Sequence, residues 1–366
     1  MNLKRTLIFS LFTIAAITLQ SFGAGKKEYD YVDASKFTTV NKAQNDGYAF
    51  KRLDTSKYPA LTTRMRHYFG FPTGIALRFR TNSPTIKASW VTADSLNKSN
   101  NPAIATKGLD LYIKDKDGKW LFAGIGSPKY YGPKHSATLV ADMDTSMKEC
   151  MLYLPIFMEL EELKIGVEKG SVIESEGEFL RAPIVAMGSS FTHGAGSSRA
   201  GMPWPAQLSR RLGVDIANFG TSGICKMEPV LAEIIADTDA DMFIFDTFSN
   251  PSAEEIHERI VPFVKRIREA HPETPLVFLQ TFIRETDNFN LKKRQFEADK
   301  RAAAEEEMAK LTASDKNIYF INPGLYAGDD HESSCDGIHP SDAGYKTAVD
   351  NIEPHIRSLM AKYNIK

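Results

Sequence analysis

Cysteine is scarce in this chain: three in 366 residues, at positions 150, 225 and 335. So small and odd a number excludes a disulfide framework and leaves room for one bridge at most. The length suggests about two domains, each able to bury its own core without such staples. An excess of charge of either sign is also missing. The 45 Lys and Arg nearly cancel the 46 Asp and Glu, and no block of like charge is long enough to track a phosphate backbone, which argues against a nucleic-acid partner. Long hydrophobic runs are lacking too. The apolar run Leu7 to Leu19 follows Lys4 and Arg5 and precedes the small residues Ser21, Gly23 and Ala24. It falls short of the ~20 residues of a membrane span and reads as a secretory signal peptide over residues 1–23, with an uncleaved anchor as the plainer alternative. No cysteine lies near the cleavage region, so a lipid-modified N-terminus has no attachment point. The expectation is an exported protein, periplasmic or extracellular, with no stable membrane insertion after cleavage. Internal repeats and low-complexity segments are absent.

The remaining sequence has two rhythms. From about Tyr29 to Arg181 short runs alternate apolar and polar residues: Ile75, Leu77 and Phe79 share one face, and Ile86–Val91 continues after the turn Asn82-Ser-Pro84. Leu109–Ile113 and Trp120–Ala123 flank Lys116-Asp-Gly-Lys119, a type I′ hairpin signal. Leu160–Val167 adds a further strand. These features predict an antiparallel β-sandwich over residues 29–181. From Ala182 to the C-terminus, short apolar runs (183–187, 214–219, 242–246, 276–280, 318–322) alternate with stretches long enough for helices (204–212, 227–236, 253–270, 291–313, 342–362). Five βα units predict an α/β domain over 182–366, a five-stranded parallel sheet in three layers with helices on both faces. Its working site belongs outside the carboxyl ends of the strands. The link Glu174–Arg181 holds no long flexible spacer, so the sandwich is expected to sit against the α/β domain as one wall of its cleft. The charged run Lys292–Lys310 reads as a solvated helix face.

At the end of the first strand of the second half stands Ile184-Val-Ala-Met-Gly-Ser-Ser-Phe-Thr-His-Gly-Ala-Gly-Ser-Ser198. It lacks the lysine and spacing of a phosphate-binding loop, Arg199 occupies the third glycine of a dinucleotide fingerprint, and Phe191-Thr192 break the strict esterase elbow. What remains is Ser190, a serine exposed on a turn at a strand end. A serine needs a base and a group to orient that base. Both stand near the C-terminus in Cys335-Asp336-Gly-Ile-His339, where Asp336 can hold one imidazole nitrogen and leave the other for Ser190. Donors for an oxyanion are available at two more strand ends, Asn218-Phe-Gly220-Thr-Ser-Gly223 and Asp246-Thr-Phe-Ser-Asn250.

In this order the four blocks resemble those of the SGNH (GDSL-type) esterases and acylhydrolases. The resemblance implies a nucleophilic Ser190, an oxyanion glycine at Gly220, an oxyanion asparagine at Asn250, and Asp336 with His339 as the acid–base pair. Gly108-Leu-Asp-Leu-Tyr112 looks like the GxDLY element of a subgroup with an N-terminal β-rich domain, which extends the resemblance over nearly the whole mature chain. Two departures stand out: Ser189 replaces the usual aspartate and Phe248 a common glycine, and both are expected to reshape the mouth of the pocket.

Plainer readings compete at several positions. His193 is expected to pack or cap a turn rather than act as a base, and His67, His135, His257, His271 and His355 lack a nearby partner of the required type. Asp329-Asp-His-Glu332 with Asp336 and His339 matches no fixed metal spacing. Trp204 and Phe248 are core or pocket wall, and Asp110 either faces the cleft or stays in its strand. The expected activity is that of an exported serine ester hydrolase needing no cofactor. Its substrate would be a small-molecule or polysaccharide ester, with short acyl groups on glycans favoured. A lipid or small-ester acylhydrolase and a catalytically inactive glycan-binding protein are the alternatives.

Overall fold

The computed structural model describes residues 27–93, 99–129, 131–177, 179–322 and 330–366; the expected signal peptide over 1–23 and Asp329 lie outside them. Among the described residues no helix is long and apolar enough to cross a membrane, and all three cysteines are free.

The first half carries β1 (Tyr29–Asp33), β2 (Thr38–Val40), α1 (Thr63–Gly70), β3 (Ala76–Thr81), β4 (Ile86–Thr92), α2 (Ala103–Lys107), β5 (Leu109–Lys114), β6 (Trp120–Gly126), β7 (Lys134–Val140), β8 (Lys148–Tyr153), β9 (Leu160–Glu168) and β10 (Ile173–Ser175). They build two antiparallel sheets, β1-β9-β4-β7 and β10-β3-β8-β5-β6, with β2 on β3. Along β4, Ile86, Ala88 and Trp90 point inward with the period of two expected of a half-buried strand. They meet Leu77, Phe79, Leu109, Leu111, Cys150 and Leu152 of the other sheet in one core, which is the predicted sandwich.

The β5–β6 hairpin differs from expectation. A type I′ turn needs left-handed backbone at both central residues, whereas here only Gly118 is left-handed (φ 79°). Gly118 N–H donates to Asp115 O and Asp115 N–H to Lys119 O, a three-residue loop pinned further by Asp115 Oδ1, which accepts from the N–H groups of Asp117 and Lys119. Strand β8 shows no alternation, because Cys150 to Tyr153 are all buried. Cys150 and Leu152 face the sandwich core, while Met151 and Tyr153 face Ala195, Ala200 and Ala206 of the second half.

The second half runs β11 (Ile184–Gly188), α3 (Ser190–His193), α4 (Trp204–Leu212), β12 (Ile216–Gly220), α5 (Pro229–Ala236), β13 (Met242–Asp246), α6 (Ala253–Ala270), β14 (Leu276–Leu279), α7 (Leu291–Ser314), β15 (Ile318–Ile321) and α8 (Asp342–Tyr363). The five strands are parallel in the order β12-β11-β13-β14-β15, with helices on both faces, the predicted three layers. On one face Met187, Phe219, Phe245 and Phe278 pack under α5, α6 and α7. On the other Ala186, Ile244 and Val277 pack under α4 and α8. The register sets Gly188 opposite both Gly220 and Asp246, so the carboxyl ends of β11, β12 and β13 lie level beside one another. Here the strand order switches direction, the place where such sheets bind ligands.

Candidate active site

The turn after β11 is built on a buried carboxylate. Asp246, almost fully buried at the end of β13, accepts on Oδ2 from Ser189 N (3.1 Å), Ser189 Oγ (2.7 Å) and Thr192 Oγ1 (3.0 Å), and on Oδ1 from Ser249 Oγ. Burial raises its pKa, and the bonds from Ser249, Ser189 and Thr192 oppose that rise. The strand–helix junction is so tight that a Cβ on Gly188 would lie 2.3 Å from Thr192 Oγ1 and 2.7 Å from Asp246 Cβ. Ser189 is therefore an internal anchor, fully buried and capping α3 by accepting from Phe191 N (3.1 Å), and does not reshape the pocket mouth as its position in the motif suggested.

Directly after it, Ser190 meets the C-terminal loop. Ser190 Oγ lies 2.8 Å from His339 Nε2, and His339 Nδ1 lies 2.7 Å from Asp336 Oδ2. An ionised carboxylate can only accept, so Nδ1 carries the proton and the Nε2 lone pair faces the serine hydroxyl. Asp336 Oδ1 also accepts the backbone N–H groups of His339 (2.7 Å) and Ile338 (2.9 Å), which folds the Asp-x-x-His segment onto itself. Burial raises the Asp336 pKa, but the His339 N–H, the Asn100 amide, the His339 ring and the Ile338 N–H together lower it to about 2. The carboxylate is thus ionised at any pH where the imidazole is neutral.

Of the two expected oxyanion donors, Gly220 is committed elsewhere. Its one backbone N–H donates to Asn218 Oδ1 at 2.8 Å, so it has no hydrogen left for an oxyanion. Its missing side chain serves packing instead, since a Cβ there would lie 2.2 Å from His193 N. Three residues on, Gly223 is exposed and its N–H donates to no described residue. The same holds for the N–H of Ser190 at the start of α3, where helix geometry supplies no acceptor. Asn250 donates one amide hydrogen to Ile224 O, which ties its block to the Gly223 turn and leaves the second hydrogen of the amide. Behind it, Ser249 O accepts from Arg284 Nη2 (2.6 Å) and Lys300 Nζ (3.1 Å). The charged face of α7 is accordingly not wholly solvated: Glu297, Lys300 and Glu307 are buried, and burial lowers the Lys300 pKa to about 8.

The other flagged side chains fall into place around this centre. His193 is fully buried, accepts on Nδ1 from Ser222 N (3.2 Å), and packs against Tyr68 and Phe157. Phe248 lies in the core against Phe278 and Phe320, not at the pocket mouth, and Trp204 is core as well. Asp110 does not face the cleft. It is buried, binding Arg199 Nη1 (2.6 Å) and Gly201 N (2.8 Å), so the Gly108–Tyr112 motif latches the strand to the loop after the nucleophile. The wall segment that reaches Asp336 is residues 99–101, where Asn100 Nδ2 donates to Asp336 Oδ2 at 3.0 Å; no sequence signal marked it. His257 finds a partner in Glu307 (2.8 Å), and with Glu306 these form the group of metal-capable side chains among the described residues. Lys310 already bonds both carboxylates there. His331 pairs with Glu285 and stands apart from the Asp336–His339 pair.

Comparison with known proteins gives two family matches and a close structural likeness. The profile of the GDSL-like lipase/acylhydrolase family matches residues 181–357, and that of the N-terminal region of SGNH-hydrolase-type esterases matches residues 29–173. A structure described as a GDSL-like lipase from Bacteroides ovatus ATCC 8483 is 43% identical, with a TM-score of 0.87 over 91% of this chain and 98% of its own. A salicylyl-acyltransferase of a tetracycline biosynthetic pathway shares the fold at 18% identity, with a TM-score of 0.67 over 90% of this chain and 97% of its own. So does a family two carbohydrate esterase from Clostridium thermocellum, solved with cellohexaose: 12% identity, TM-score 0.56, 79% of this chain and 93% of its own. Among curated proteins none matches significantly.

Proposed function

The chain belongs to the GDSL-like lipase/acylhydrolase family and is a carboxylic ester hydrolase, and on that footing we propose that it is exported and removes O-acetyl or other short acyl groups from glycans. The observation that carries the mechanism is the unbroken chain of short hydrogen bonds from Ser190 through His339 to Asp336. In this reading His339 Nε2 takes the Ser190 proton as Oγ attacks the ester carbonyl. Asp336 stabilises the imidazolium, which then protonates the leaving alcohol, and water releases the acyl group by the same steps in reverse roles. The oxyanion is held by the N–H of Ser190, the free N–H of Gly223 in place of that of Gly220, and the second amide hydrogen of Asn250. No step requires a cofactor.

The glycan assignment draws on the two-part fold shared with the carbohydrate esterase, and on the expected export. It is tested by acetate release from a panel of acetylated polysaccharides alongside aryl acetate and octanoate. Acetate freed from at least one polysaccharide supports it. Octanoate cleaved as fast as acetate, with no polysaccharide touched, replaces it with the lipid reading. With Phe248 in the core, that ring does not narrow the pocket and gives no ground for a short-chain preference. Likeness of fold to the salicylyl-acyltransferase makes transfer to an alcohol the second reading, visible in the same assay as acylated acceptor instead of free acid.

Asn250→Ala is expected to lower kcat about 10²-fold with little change in KM, because an oxyanion donor acts mainly in the transition state. Steady-state kinetics on aryl acetate checks it. A change confined to KM would make Asn250 a substrate-binding residue instead.

A further inference from the structure

Residues 99–101, just before α2, belong to the β-rich half, yet they touch both loops that carry the reactive groups of the other half. Asn100 Nδ2 lies 3.0 Å from Asp336 Oδ2 and 3.3 Å from His339 Nδ1. Because Nδ1–H already donates to Asp336, the amide has one acceptor here, the carboxylate; a flipped amide would set its oxygen against a carboxylate oxygen and repel it. With Asn100 in place all four acceptor positions of Asp336 are used. Oδ1 takes two backbone N–H groups, and Oδ2 takes the imidazole and the amide. Asn101, beside it, donates to the carbonyls of Gly194 (3.3 Å) and Ser197 (3.0 Å) and accepts from Gly196 N (3.3 Å), which seats the same segment on the loop after Ser190.

We propose that Asn100 is a positioning residue supplied by the β-rich half: its amide fixes the Asp336 carboxylate against His339, so the site is complete only when the two halves are docked. Without the amide, Oδ2 is held by the imidazole alone, and the carboxylate must keep its orientation through the proton transfers of each turnover. The proposal rests on Ser190, His339 and Asp336 being the reacting groups.

The test uses the full chain with Asn100→Ala and the isosteric Asn100→Asp. Asn100 is half-buried, so neither change is expected to disturb folding. Loss of a hydrogen bond to a charged group predicts a fall of about tenfold in kcat on aryl acetate for the alanine variant, with KM nearly unchanged. The aspartate variant keeps the shape but replaces the donor with a second carboxylate facing Asp336. It should be slower than the alanine variant, and in an NMR titration the His339 ring should hold its proton to higher pH than in the wild type. A packing role predicts the opposite order, with the isostere close to wild type. Asn100→Asp within about twofold of wild-type kcat, with the His339 titration unmoved, overturns the proposal. The titration needs no turnover, so it decides the role of Asn100 even if Ser190→Ala were to keep hydrolysing esters and the functional reading itself fell.

Discussion

Ser190→Ala is expected to abolish ester hydrolysis, leaving less than about a hundredth of wild-type turnover, because loss of one member of such a set removes the covalent route altogether. The same variant should fold normally. Among the described residues Ser190 Oγ bonds only His339 Nε2, whereas the bonds that shape the turn come from its neighbour Ser189 and from Thr192, both fastened to Asp246. Turnover on aryl acetate and the thermal midpoint, measured together, separate the two outcomes. Lost activity with an unchanged midpoint supports the nucleophile assignment. Retained activity assigns the chemistry to another group, and a large drop in midpoint would mean that the hydroxyl has a structural part that the geometry does not contain. Ser189→Ala makes the complementary control, since it removes a bond to a buried carboxylate and should lower stability more than Ser190→Ala does.

How far this was readable from sequence depends on whether the relevant neighbours are near in the chain or marked by chemistry. The parallel sheet was legible because buried strands alternating with long amphipathic segments have few other solutions, and five strand ends then fixed where to look. That Ser190, Asp336 and His339 meet was legible because Ser190 follows a strand end, Asp336 and His339 stand three residues apart just before the last helix, and their chemical types are complementary. Which glycine of the second block keeps an N–H to spare was not. Gly220 and Gly223 stand in one block, and only the folded turn reveals that Asn218 Oδ1 takes the first N–H and leaves the second. Phe248 was misplaced for a similar reason: two residues past the end of β13 it still packs under the sheet, against Phe278 and Phe320. Strand β8 was invisible because both of its faces are covered, which erases the period of two. Asn100 lies 236 residues from Asp336, and an asparagine in a loop carries no mark of its partner.

Removing residues 27–180 is expected to leave an insoluble or molten fragment without activity, because the first half supplies part of the second half's core. Leu53, Leu61, Met65 and Phe69 are buried in the same cluster as Met187, Phe219 and Phe245, with Phe69 edge-on to Phe219 at 5.7 Å. Met151 and Tyr153 cover Ala195, Ala200 and Ala206 from the sandwich side. At the centre of the seam is Arg52, buried and without a carboxylate partner among the described residues: its guanidinium donates to the carbonyls of Asn218 and Gly220 (2.8 Å each), Tyr68 (2.5 Å) and Phe71 (3.2 Å). Burial lowers its pKa to about 9, so it remains charged near neutrality, and the four carbonyl dipoles are what compensate that charge. The single change Arg52→Met therefore probes the seam without deleting it. It keeps most of the volume but removes the shared donor from all four carbonyls, of which Tyr68 O keeps the Phe71 N–H (3.1 Å), at a cost of about 3–5 kcal/mol. Since two of these belong to the strand end that leads into Gly223, activity should fall along with stability. Chemical denaturation and aryl-acetate kinetics on Arg52→Met, together with size-exclusion chromatography of the 181–366 fragment, test the claim. A fragment that is monomeric, unfolds cooperatively and keeps full activity on polysaccharide would show the first half to be a detachable appendage, and the shared core to be dispensable.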